Sequence, residues 1–193
     1  MKIKKVSFIV SAPTIRETPP AGCFPEVVVV GRSNVGKSSF ICKLTNQKIA
    51  KVSSTPGKTR LINYFLVDES WYLVDLPGYG FAKVSKREQE RWKIALEEYL
   101  SLRRGIRLAI LLVDCRHEVK ESDLQMYDWL CGNNLNTMVV LTKCDKISKS
   151  QQAKARQGAS KAFQVPLEQI LTISSHDGQG FDALGKCLDE ILA

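Results

Sequence analysis

The sequence predicts a three-layer α/β fold, with a mostly parallel central sheet, one antiparallel strand, and helices on both faces. Three observations predict it. The run Val27-Val28-Val29-Val30 is apolar and β-branched, as suits a central parallel strand covered on both faces. It leads into Gly31-Arg-Ser-Asn-Val-Gly36-Lys37-Ser38, which fits the phosphate-binding pattern G-x-x-x-x-G-K-[ST]. Downstream of one hairpin, short apolar runs then alternate with helical stretches to the end of the chain. Ligands of such sheets bind beyond the carboxyl ends of the strands, where the glycine-rich loop falls.

In chain order, Val6 to Val10 reads as an edge strand, followed by a loop rich in proline (Pro13, Pro19, Pro20, Pro25). The helix after the glycine-rich loop runs from Lys37 to Asn46, with Phe40, Ile41 and Leu44 on one face. Lys48 to Arg60 is polar and aperiodic, with Pro56 and Gly57, and is expected to be a mobile connection. Leu61 to Val67 and Trp71 to Asp75 form the hairpin, turning at Asp68-Glu-Ser70. A helix over Lys86 to Leu102 follows, and its Trp92, Ala95, Leu96 and Tyr99 are most simply core. Leu108 to Asp114 is a strand, and Ser122 to Cys131 a helix with Ser122 as N-cap. Thr137 to Leu141 is a strand, Lys149 to Phe163 a polar helix, Ile170 to Ile173 a short strand, and Phe181 to Leu192 the last helix. There are no repeats. The expected division is an N-terminal extension with its edge strand over 1–25 and a single domain over 26–193.

At 193 residues, one domain of this size buries roughly 70% of its unfolded surface. No stretch approaches the ~18 apolar residues of a membrane span. The basic start Met1-Lys-Ile-Lys-Lys5 leads into a short apolar run that meets Pro13, so no signal peptide is expected. The six cysteines form no C-x-x-C pair, which argues against a disulfide framework or zinc site and for reduced thiols in the cytoplasm. The net charge of +8 suggests a polyanionic partner such as RNA, the plain alternative being a soluble basic surface. Basic clusters lie at Lys83, Lys86, Arg87, Arg91 and Lys93, and at Arg103, Arg104 and Arg107.

The chemistry sits at strand ends. Glycines let the backbone of Gly31 to Ser38 wrap closely, so its N–H groups point at phosphate oxygens, and the helix N-terminus adds its positive end. Lys37 reaches the β- and γ-phosphates, and the Ser38 hydroxyl binds Mg2+. Such a loop arises by chance in somewhat under about 1 in 100 chains of this length. Asp75-Leu-Pro-Gly78 is a D-x-x-G pattern. There Asp75 holds a Mg2+ ligand through water and the Gly78 N–H bonds the γ-phosphate, which makes the following segment a switch. Thr59 is the candidate threonine that completes the Mg2+ shell, with Thr55 as runner-up. Thr142-Lys143-Cys144-Asp145 resembles the guanine-reading N-K-x-D motif, with Thr for Asn. Asp145 accepts from guanine N1–H and the 2-amino group together, a donor pair adenine lacks. Lys143 packs its stem over the base, and Ser174-Ser175 places a backbone N–H near guanine O6.

These motifs, with Thr55-Pro-Gly-Lys-Thr-Arg-Leu-Ile-Asn63, Asp75-Leu-Pro-Gly-Tyr-Gly80 and Val113-Asp-Cys-Arg-His117, carry a resemblance over nearly the whole chain. The sequence resembles the EngB (YihA/YsxC) family of bacterial GTPases, in the TrmE-Era-EngA-septin group of Ras-like P-loop proteins. The resemblance implies a P-loop NTPase fold of the Ras-like G-domain type and a GTP site over Gly31, Arg32, Ser33, Asn34, Val35, Gly36, Lys37 and Ser38. The site continues over Gly57, Lys58, Thr59, Arg60, Leu61, Asp75, Leu76, Pro77 and Gly78, then Thr142, Lys143, Cys144, Asp145, Ile173, Ser174 and Ser175. Lys37, Thr59 and Gly78 are the expected catalytic groups, and Ser38 and Thr59 the Mg2+ ligands. Also implied are a monomer acting in assembly of the large ribosomal subunit, through rRNA and ribosomal proteins, and a requirement in cell division and septation.

Ras-like GTPases carry a catalytic Gln directly after the Gly of D-x-x-G. Tyr79 stands there, so hydrolysis without a partner should be slow. Some relatives in the wider group carry this Asn and bind K+ there. That implies K+ as a second cation, its shell completed by carbonyls of 53–58. The alternative is that Asn34 stabilises its loop through its own backbone hydrogen bonds. A P-loop phosphotransferase acting on a small substrate is the competing function, but it leaves Thr142 to Asp145 unexplained.

Overall fold

A computed structural model describes residues 2–47, 61–79, 94 and 96–193. Seven strands form one sheet: β1 (Val6–Ala12), β2 (Glu26–Gly31), β3 (Ile62–Val67), β4 (Trp71–Asp75), β5 (Ile106–Asp114), β6 (Thr137–Thr142) and β7 (Ile170–Thr172). The helices are α1 (Lys37–Thr45), α2 (helical over 96–102), α3 (Glu121–Gly132), α4 (Lys149–Phe163) and α5 (Phe181–Leu192). The spatial order is β1-β3-β4-β2-β5-β6-β7. Only β3 runs against the rest, pairing antiparallel with both β1 and β4.

Alternation along β2 assigns the layers. Val28 and Val30 pack with Tyr99 and Leu100 of α2, Leu130 of α3, and Ala159 and Phe163 of α4. Val27 and Val29 pack with Phe40 and Ile41 of α1 and Leu184 and Leu188 of α5. All four valines are fully buried, which is why this strand reads as a continuous apolar run and not an alternating one.

The hairpin turns over Asp68 to Ser70, between the paired Val67 and Trp71, with the Ser70 N–H donating to Val67 O at 3.0 Å and with Asp68 (φ 46°) and Glu69 (φ 55°) both at positive φ. Asp68 Oδ1 accepts the Lys4 and Lys5 N–H groups at 2.9 and 2.7 Å, seating the start of the chain beside the turn. In β1 the register shifts between Phe8 and Val10, leaving Ile9 as an extra exposed residue.

Two sequence expectations are corrected here. Helix α3 begins at Glu121, one residue before Ser122, and Lys120 holds the cap position. The Asp123 carboxylate reaches back to the Lys120 N–H at 3.2 Å, so a residue at the third helical position closes the turn without a capping hydroxyl. Arg103 is also withdrawn from the basic surface. It is buried at the foot of the sheet, where its Nε donates to Glu26 Oε1 at 2.7 Å and its Nη2 lies 2.6 Å from the same oxygen. Glu26 Oε2 accepts from the Tyr99 and Tyr64 hydroxyls at 2.7 and 3.3 Å, so the buried carboxylate is surrounded by donors. Burial first, then the Glu26 charge, raises both phenols above their ordinary range. Arg104 and Arg107 remain exposed, while Lys83, Lys86, Arg87, Arg91 and Lys93 lie outside the described residues.

Candidate nucleotide-binding site

Parallel strands β2, β4, β5, β6 and β7 all end on one edge of the sheet, and the loops that follow them converge there. After β2 the chain turns through Asn34 (φ 62°) and Gly36 (φ 106°) into α1. The Gly36 conformation is strained for any residue with a Cβ. Gly31 is held by space instead: a Cβ there would lie 2.8 Å from Val35 Cγ1 and 3.1 Å from the Leu112 backbone oxygen. The α1 N-cap is Gly36, which has no side chain to cap the helix, and this leaves its positive end for an anion. The Ser33 hydroxyl and Arg32 Nε are buried without a hydrogen-bond partner among the described residues, polar atoms that suit a loop built to meet phosphate.

Lys37 is 8% exposed and its Nζ donates to Asp75 Oδ1 at the end of β4. Asn63 of β3 holds the other carboxylate oxygen, its Nδ2 donating to Asp75 Oδ2 at 3.3 Å. Ser38 is half-buried in the first turn of α1. Leu76 and Gly78 are buried and Pro77 and Leu61 half-buried. Gly78 lies against the loop so closely that a Cβ would stand 3.3 Å from Gly31 O and 3.4 Å from Ser33 N. Tyr79 continues this pairing, its N–H donating to Gly31 O at 3.3 Å and its carbonyl accepting from Ser33 N at 3.0 Å. The Tyr79 hydroxyl donates to Asp123 Oδ1 at 2.8 Å, so the side chain in the place of a catalytic Gln is engaged by α3. Burial, then the Asp123 charge, drives this phenol far above its usual range.

Thr142 is buried and donates to Val35 O at 2.7 Å, tying the end of β6 to the phosphate loop. Lys143 Nζ donates to Asn34 O at 2.6 Å and to Asp114 Oδ2 at 2.9 Å, and its Cε would lie 3.7 Å from a Cβ on Gly36. Arg116 also grips Asp114, at 2.9 and 2.8 Å. Burial opposes ionisation of Asp114, but hydrogen bonds from Arg116 and Lys143 overcome it and hold the carboxyl well below its ordinary range. A cavity of about 240 Å³ opens between these groups, lined by Arg32, Ser33, Asn34, Asp114, Arg116 and Lys143 among others.

Asp145 follows in a short turn over buried Cys144. Burial acts to raise its pKa, and hydrogen bonds from Lys146 and Ser174 outweigh that, so the carboxyl lies below its ordinary value. Ile173 and Ser174 are fully buried behind it. The Ser174 N–H donates to Gln179 O at 3.0 Å, and its Oγ accepts from the N–H groups of His176 and Asp177. With the Ser174 N–H so engaged, Ser175, half-buried, is the residue of the pair whose N–H the expected base contact would use.

The structure thus brings together Gly31 to Ser38, Asp75 to Gly78, Thr142 to Asp145 and Ile173 to Ser175. Gly57, Lys58, Thr59, Arg60 and the alternative Thr55 lie outside the described residues, as does the 53–58 loop expected beside Asn34. Sequence reasoning gave no role to Asn63, Asp114, Asp123 or Gln152. A polar residue within an otherwise apolar strand was the available signal for Asn63. For Asp114 the signal is its place at a strand end within Val113-Asp-Cys-Arg-His117. Among the described residues, no helix is long and apolar enough to cross a membrane.

Residues 26–143 match the family described as 50S ribosome-binding GTPase. A probable GTP-binding protein EngB from Clostridium perfringens (strain 13 / Type A) is 48% identical over 186 residues, covering 95% of this chain and 94% of that protein. The Clostridium kluyveri protein of the same description is 46% identical over 194 residues, covering 100% of this chain and 98% of its own. A crystal structure of a probable GTP-binding protein engB superposes with a TM-score of 0.73 at 28% identity, covering 86% of this chain and 98% of that one. Family match, full-length relatives and shared fold agree with the P-loop and strand-end geometry: the chain is a GTPase and belongs to the EngB family of GTP-binding proteins.

Proposed function

We propose that this GTPase is a nucleotide-dependent switch in assembly of the large ribosomal subunit, working in the cytoplasm as a monomer and needed for normal cell division and septation. The observation that carries the switch is the packing of Gly78 and Tyr79 directly on the phosphate loop. A γ-phosphate bonded by the Gly78 N–H bears on that contact, and a diphosphate does not. Residues 26–193 form the GTP-binding domain, with 1–25 an extension that adds β1 to it. Ser38 and Thr59 hold Mg2+, with Asp75 acting through water. The Ser33 hydroxyl, buried in the phosphate loop with no partner among the described residues, and the N-cap Gly36, which has no side chain to cap α1, fit a bound triphosphate with its cation. Mg2+, when bound, neutralises charge that develops on the phosphates. The chain's own part is to orient the phosphates with backbone N–H groups and Lys37 and to select the base with Asp145. With Tyr79 held by Asp123, no side chain amide follows Gly78 to orient the attacking water, and hydrolysis is slow without a partner.

Era, which shares the fold, has been crystallised with MgGDPNP and a segment of 16S ribosomal RNA. The 50S-binding family match and the net charge of +8 favour an RNA-containing partner for this chain too. The test is co-sedimentation with large ribosomal subunits in GDP and in a non-hydrolysable GTP analogue. Binding should depend on the nucleotide, and its log affinity should fall linearly with log salt where phosphate contacts dominate. No binding in either state rejects the ribosomal role, and salt-insensitive binding assigns the contact to protein.

Guanine reading is tested at Asp145. In Asp145→Asn, GTP affinity should fall at least about a hundredfold while xanthosine nucleotides gain, because the hydrogen-bond pattern at the base edge is exchanged. Equal binding of ATP and GTP by the unaltered protein contradicts this reading. For K+, hydrolysis at matched ionic strength should be faster in KCl than in NaCl, with the difference lost in Asn34→Ala. Identical rates remove K+ from the site.

A further inference from the structure

Helix α4 is built of Lys, Ser, Gln, Ala, Arg and Gly down to its last residue, Phe163. Within this polar helix Gln152 is only 8% exposed. Its amide nitrogen donates to Cys144 O at 2.7 Å and to Ile147 O at 3.3 Å, and its Oε1 accepts from Gln179 Nε2 at 3.1 Å. Both faces of the amide are therefore used. Gln179 is fixed in turn, with Lys149 Nζ donating to its Oε1 at 2.8 Å and its carbonyl accepting the Ser174 N–H at 3.0 Å. Cys144 is fully buried, and besides Gln152 its carbonyl accepts only a long bond from the Ile147 N–H, at 3.4 Å, among the described residues.

These bonds reinforce, from the side of α4, a junction that the Cys144 N–H makes directly with Ile173 O at 3.2 Å, between two segments distant in the chain. One is the turn that carries Asp145 and the other is the loop that carries Ser174 and Ser175. The base reading gives them different parts of one guanine edge: N1–H and the 2-amino group to Asp145, and O6 to the Ser175 N–H. Three contacts on a rigid, planar base tolerate little relative movement of the two segments. We propose that Gln152 is a positioning residue for base selection, which holds the Asp145 turn and the Ser174–Ser175 loop at the spacing that guanine requires. This rests on the guanine reading of Asp145. Gln152 touches neither the nucleotide nor the phosphates and acts through Cys144 and Gln179.

The experiment compares GDP with IDP, which lacks the 2-amino group, by equilibrium binding to the full chain. The unaltered protein should prefer GDP. In Gln152→Ala the preference for GDP over IDP should shrink by about tenfold, the worth of about one hydrogen bond. A smaller loss of the same ratio is expected in Gln179→Ala, which leaves the bond from Gln152 to Cys144 in place. Thermal melting is measured alongside. A Gln152→Ala protein that melts lower yet keeps its GDP-to-IDP ratio has lost packing only, and overturns the proposal. Should Gln152→Ala not fold, Gln179→Ala decides by the same ratio, an unchanged value counting against the proposal. Asp145→Asn is the control for the underlying reading. If it fails to gain affinity for XDP, the base reading falls and the role of Gln152 with it. If it gains XDP affinity while both glutamine variants keep the ratio, only the Gln152 inference is rejected.

Discussion

Lys37→Ala should lower single-turnover GTP hydrolysis by about 10²–10³-fold, the usual cost of removing one preorganised donor from a developing negative charge. Lys37 is buried at the base of the phosphate loop, so its charge acts in a site from which water is largely excluded. Its Nζ already lies on Asp75, which fixes the ammonium in place before any phosphate arrives. Removing it has a second consequence. Asp75 is 3% exposed and would keep, among the described residues, only the long Asn63 bond to its side chain, so the free protein should also lose stability. On the proposed reading, in which Lys37 meets the β- and γ-phosphates, affinity should fall more for GTP than for GMP. Lys37→Arg should not restore turnover, since a planar guanidinium is wider than an ammonium and the space is closed. Turnover in Lys37→Ala within tenfold of the unaltered protein would remove this residue from the mechanism.

The largest effect on stability is expected far from the nucleotide, at Glu26. Glu26→Ala strands Arg103, a guanidinium 6% exposed, without its counter-ion, and takes the acceptor from the Tyr64 and Tyr99 hydroxyls. Breaking one side of a buried pair costs about 3–5 kcal/mol. For a domain of this size that lowers Tm by about 10 °C, measured by calorimetry or circular dichroism. The reverse substitution of both partners is the informative control. Glu26→Leu with Arg103→Met should recover most of the loss, because an apolar pair avoids the desolvation that the ion pair must offset. The network also ties the end of α2, through Tyr99 and Arg103, to the first residue of the strand that carries the phosphate loop. A Tm within about 2 °C of the unaltered protein in Glu26→Ala would mean that the pair contributes little.

The same two residues mark what pattern reading can and cannot see. Glu26 and Arg103 are both charged, and charge in a sequence is ordinarily a sign of exposure. Only their meeting across 77 positions explains their burial, and no local pattern encodes that meeting. Ser122 illustrates a smaller failure. A hydroxyl before an apolar run is a sound cap signal, but an acidic residue at the third helical position did the work from Asp123. Strand β4, at Trp71–Asp75, and helices α4 and α5 came out at the expected residues, because turn residues or a capping serine mark their limits.

By itself the sequence determined the P-loop, the order of strands and helices, the D-x-x-G and Thr-Lys-x-Asp segments at strand ends, and from these the GTPase family. Each is a local signal: hydrophobic period, glycine placement, or a short spacing that one chemistry demands. Tertiary structure alone decided what Thr142, Lys143, Tyr79 and Gln152 touch. Thr142 and Lys143 turn to the phosphate loop, Tyr79 to Asp123, and Gln152 to the turn beside Asp145. Hydroxyl, ammonium, phenol and amide groups each have many admissible partners. Which one is met depends on how the strand ends are brought together, and parallel strands are brought together by contacts distant in the chain.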